Sequence, residues 1–86
     1  MEQKEVERAL LKKLYDLGCW GKHHVSESNL PKGFPSDARG KVKEAAEKLR
    51  KERLLVKRPS SHDYQWYLNF EMRQEIERRV KEGMNY

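Results

Sequence analysis

Ala38, Val42, Ala45, Ala46 and Leu49 recur at steps of one, three and four residues, and no other feature constrains the fold of this chain more tightly. Side chains three and four apart share one side of an α-helix, so the spacing predicts a helix over about 37–53. Ser36 stands where an N-cap hydroxyl accepts from a first-turn amide, and Asp37 suits the positive end of the helix dipole. Arg39, Lys43, Glu47 and Arg50 line one flank, while Gly40, Glu44 and Lys51 lie opposite the apolar stripe. Pro31, Gly33 and Pro35 separate this helix from what precedes it, because proline lacks an amide donor and restricts its predecessor. Phe34 is the expected apolar anchor of that break.

The other elements follow from the same periodicities. Val6, Leu10, Leu14 and Leu17 predict an amphipathic helix over about 3–17, stopped by Gly18. Ser26 heads a short helix through Leu30, which faces inward. Leu54-Leu55-Val56-Lys57-Arg58 and Tyr64-Gln65-Trp66-Tyr67-Leu68 read as strands, joined through Pro59-Ser60-Ser61-His62-Asp63 into a β-hairpin. Tyr64, Trp66 and Leu68 take one face of the second strand, and Gln65 and Tyr67 the other. Asn69 caps a last helix carrying Met72, Ile76 and Val80, with Gly83 near its end and a frayed tail from about 82 to 86. The expected class is α+β, in one domain spanning 1–86.

Charge narrows the function. The net charge is only +5, but its distribution is uneven. Residues 22–58 hold eleven bases against five acids, whereas the flanking segments are close to neutral. A basic block between neutral helices points to a polyanion. No apolar run approaches the ~18 residues of a membrane span, and Met1-Glu2-Gln3-Lys4-Glu5 does not open a signal peptide. The lone Cys19 closes no disulfide within the chain. These features set the expectation of a cytoplasmic protein with no membrane partner.

The element order, the cap and stripe from Ser36-Asp37-Ala38-Arg39-Gly40 to Leu49, and the passage through Glu52-Arg53-Leu54-Leu55-Val56 resemble a winged helix-turn-helix domain, in particular the small archaeal regulators of that class. The return Tyr67-Leu68-Asn69 into a closing helix is similar as well, so the resemblance covers about residues 4–80. It implies three helices, a two-stranded wing and a C-terminal helix. It also implies double-stranded DNA as partner and a role as a small transcription regulator. In such domains the third helix enters the major groove and the wing lies near the backbone. That nominates Ser36, Arg39, Gly40, Lys41 and Lys43 on the helix, and Lys57, Arg58, Ser60, Ser61 and His62 on the wing. Arginine can bond guanine bidentately, lysine and serine meet phosphate, and glycine admits a close backbone approach. The family also implies a homodimer paired through the first and last helices.

The chain departs from that pattern in two places, and the second, the acids interleaved on the third helix, favours an alternative, a winged helix that docks an acidic protein partner. The stretch Pro31-Lys32-Gly33-Phe34-Pro35 is longer than the usual three- to four-residue turn, and Glu44 and Glu47 lie on the outward side of the third helix. Cys19, His23, His24 and His62 lack paired-cysteine spacing, and adjacent histidines fit one tetrahedron poorly, so no metal or other cofactor is expected. There is no phosphate loop, nucleophile elbow or deaminase pattern, and no catalytic residue is expected.

Overall fold

The computed structural model describes residues 1–82, so Gly83 and most of the expected tail lie outside the described residues. Helix α1 spans Gln3–Asp16. The Glu5 carboxylate accepts from the Glu2 amide at 3.1 Å, which satisfies a donor at the positive end of the helix. Gly18 ends it at φ +68°, a conformation that strains other residues. The Gly18 and Cys19 amides donate back to Tyr15 and Leu14. Val6, Leu10 and Leu14 are fully buried, but Leu17, expected on the same stripe, is 57% exposed because α1 stops one residue before it.

A strand that the sequence pattern does not foresee comes next. Strand β1 (Val25–Ser26) pairs antiparallel with β3 (Tyr64–Leu68), Val25 opposite Trp66. The expected second helix is corrected to one 3-10 turn, Glu27–Asn29, which Ser26 precedes without a side-chain cap. Proline at position 31 cannot supply the amide that would continue it. Leu30 is nonetheless buried, as expected.

Helix α2 spans Arg39–Lys51, two residues shorter at each end than its apolar spacing suggests. Ser36 does not cap it. Instead the chain enters through a turn in which the Ala38 amide donates to Pro35 and the Lys41 amide to Ala38, leaving Ala38 in the cap position. Val42, Ala45, Ala46 and Leu49 are buried as the stripe requires. Arg53 follows the helix at φ +69°, the one described non-glycine residue in the left-handed region, and its carbonyl accepts from Asn69 Nδ2 at 2.8 Å.

Strand β2 (Leu55–Pro59) pairs antiparallel with β3 in the register Leu55–Leu68, Lys57–Trp66 and Pro59–Tyr64. The sheet order is therefore β1-β3-β2, three strands where the sequence predicts a two-stranded hairpin. Asn69 caps a 3-10 turn, Phe70–Met72, through the Glu71 amide, and α3 (Arg73–Glu82) follows. The core lies where α1, α2 and α3 meet the inner face of the sheet, with Trp66, Leu68 and Ile76 fully buried. Glu7 is the buried charged residue among those described, and its Oε2 sits 3.3 Å from the Lys48 ammonium, outside hydrogen-bond alignment. No helix among the described residues is long and apolar enough to cross a membrane.

Candidate nucleic-acid interface

Burying Val42, Ala45 and Leu49 turns the opposite side of α2 outward, and this side carries most of the nominated helix residues. The Arg39 Nε donates to the Phe34 carbonyl at 3.2 Å, which anchors the side chain and leaves its terminal nitrogens uncommitted among the described residues. At Gly40 an added Cβ would meet nothing within 4 Å, so the backbone is open to close approach. The Lys43 side chain is 71% exposed, 3.8 Å from Glu27 Oε2. Ser36 is exposed in the turn before the helix. Lys41 points to the other flank and donates to the Met1 carbonyl at 2.5 Å, away from Arg39 and Lys43. No side chain caps α2 and no acid stands in its first turn, so the positive end of its dipole is not neutralised from within the helix.

The hairpin approaches this end of α2. Arg39, Lys43, Glu27, Ser28 and Asp63 line one shallow cleft of about 280 Å³, which places the hairpin tip beside the helix start. Asp63 makes that juxtaposition. Its carboxylate accepts from the Ser28 amide at 3.1 Å and the Tyr64 amide at 2.7 Å, and these bonds hold it below the usual carboxylate range. The Ser60 hydroxyl donates to the Asp63 carbonyl, which closes the tip. Arg58, Ser60, Ser61 and His62 are all exposed.

Lys57 is placed differently from the other nominated wing residues. Its side chain is only 20% exposed, its ammonium donates to Glu47 Oε2 at 2.8 Å and lies 3.7 Å from Glu27 Oε1. It also stands 4.2 Å from the centre of the Tyr64 ring and 5.4 Å from that of Trp66. Glu47 takes a second bond from Arg50 Nε at 2.7 Å, and Glu27 accepts from the Trp66 indole at 3.2 Å. The bond from Lys57, then that from Arg50, pushes the Glu47 carboxyl down, while the same bond pushes Lys57 up. The sequence pattern identifies Glu27 and Asp63 neither as ligands of this network nor as its organisers.

Glu75 in α3, bonded by Arg78 and Arg79, is held down at about 2. Glu47, Asp63 and Glu75 are therefore all more acidic folded than unfolded. Their stabilisation is complete above the ordinary carboxylate range and is lost as pH falls through the folded values. The melting temperature is expected to hold at neutral pH and to drop from about pH 5 towards about pH 2, with a smaller drop in Glu47→Gln. A melting temperature unchanged across that range would refute the assignment.

Among the described residues no three His, Cys, Asp or Glu side chains gather as a metal ion would require. Cys19 is buried, its carbonyl accepts from the Leu68 amide at the end of β3, and burial pushes its thiol up. Comparison with protein-family models, with curated proteins and with solved structures finds no significant match to this chain.

Proposed function

We propose that this chain is a winged-helix domain that binds double-stranded DNA and acts as a small transcription regulator, with the start of α2 in the major groove and the hairpin along the backbone. Three helices around a three-stranded antiparallel sheet are compatible with that arrangement. The observation that carries the reading is the shared cleft at the α2 N-terminus. There Arg39 and Lys43 stand beside the hairpin tip, next in sequence to the open backbone of Gly40, at a helix end with no capping side chain. Arginine and lysine next to exposed amides supply both base-edge donors and phosphate neutralisation.

Anisotropy titration of a labelled 20-base-pair duplex across salt concentration tests it. Affinity should fall steeply with salt, and Arg39→Ala/Lys43→Ala should lower it about tenfold and make the slope shallower by about 1 to 2. A folded protein that binds no duplex at low salt would overturn the reading. One observation favours a second reading, docking of an acidic protein partner: Glu47, an acid interleaved with the bases of α2, already pairs with Arg50 on the helix and with Lys57 on β2. Absence of duplex binding, together with capture of an acidic partner that Arg39→Ala/Lys43→Ala abolishes, would favour it.

A further inference from the structure

We propose that Lys57 is a positioning residue of the DNA interface, which fixes the hairpin against α2, and that it makes no phosphate contact. This rests on the DNA reading above. Side chains alternate across a strand. The register puts Lys57 opposite the buried Trp66, and Arg58 opposite Gln65 on the outer face. Two neighbouring bases of one strand therefore have opposite surroundings. Arg58 is exposed, while the Lys57 ammonium is enclosed by the Tyr64 and Trp66 rings and the Glu47 and Glu27 carboxylates.

The partners of Lys57 come from three different elements. Glu47 is on α2, Glu27 on the 3-10 turn before it, and Trp66 and Tyr64 are on β3. Glu27 is itself tied to the sheet by the Trp66 indole. The remaining charges facing the cluster are Arg50 on Glu47 and Lys43 on Glu27, so bases and acids alternate and the Lys57 charge is balanced in place. To reach a phosphate, Lys57 would have to abandon a 2.8 Å charge-assisted bond and leave Glu47 and Glu27 facing the duplex. Held where it is, it presets the angle between hairpin and helix, so both elements meet one duplex without ordering cost on binding.

The test is the same duplex titration with Lys57→Met, Glu47→Gln and the double variant, each checked by thermal melting. Wild type should bind, and Lys57→Met should weaken binding about fivefold while its salt slope stays within about 0.3 of wild type, because no counterion-releasing contact is lost. Glu47→Gln gives the sharper outcome. It removes a negative charge beside the duplex, which on charge alone should tighten binding, yet loss of the brace should weaken it by a similar factor. The double variant should bind no more weakly than either single one, as expected for two ends of one interaction. A slope shallower by about 1 in Lys57→Met, or tighter binding by Glu47→Gln, would overturn the proposal and leave DNA binding standing. Failure of the wild type to bind would overturn the DNA reading and this inference with it.

Discussion

Trp66→Ala is expected to cost about 3–5 kcal/mol and to move the unfolding midpoint far below that of the wild type. The indole is fully buried in the central strand of a three-stranded sheet, between Val25 on one side and Lys57 on the other. Its removal opens a cavity in the core, and it strips Glu27 of the indole donor at 3.2 Å. A domain of this length is stabilised by roughly 0.05–0.15 kcal/mol per residue, or about 4–13 kcal/mol in all, so a loss of that size removes a large share of the total. Trp66→Phe keeps a ring in the site and loses the indole bond, so a smaller cost of about 1–2 kcal/mol is expected. Urea unfolding followed by circular dichroism checks both values. A Trp66→Ala protein destabilised by less than about 1 kcal/mol would mean that the sheet face is not the core described above.

The long helix was legible because five apolar side chains at helical spacing have no other common face. Its first turn was not. Serine at 36 followed by aspartate carries a strong cap signal, but the Pro35 carbonyl captures the Ala38 amide first, and the helix starts at Arg39 instead. Strand β1 has two residues, too few to show alternation, and exists because Val25 meets Trp66 across a pairing that only the tertiary fold provides. The fate of Lys57 follows from register. Once Trp66 faces inward, the residue opposite it must face inward too, and composition alone assigns that base to solvent. For the candidate interface, the outward positions of Arg39, Gly40 and Lys43 were readable from the apolar stripe. The acids that organise it, Glu27 and Asp63, were not, since each acts on a partner far away in sequence.

Lys13→Met is expected to loosen the connection that delivers α2, at a cost of about 2 kcal/mol. On the sequence Lys13 is one more base on an amphipathic helix, but its ammonium donates to three carbonyls, those of Asn29 at 2.9 Å, Leu30 at 2.8 Å and Lys32 at 2.8 Å. The stretch from Pro31 to Pro35 is poor in amide donors of its own, and a lysine from α1 holds it in their place. The bond sum overstates the benefit. Burial first, and then the Lys32 ammonium, push the Lys13 pKa down, so part of the gain offsets the removal of a charge from water. Methionine relieves that cost and keeps the apolar stem, but it leaves the part-buried Leu30 carbonyl without its donor. The loss is therefore set by one stranded carbonyl rather than three. Because Phe34 anchors Arg39 through its carbonyl, a loosened connection also frees the first side chain of α2. Hydrogen exchange should accelerate across residues 30–40 and remain slow in α1, and duplex affinity should fall without a change in salt slope. Exchange that speeds up uniformly over the whole chain would mean that Lys13 supports global stability and has no special hold on the connection.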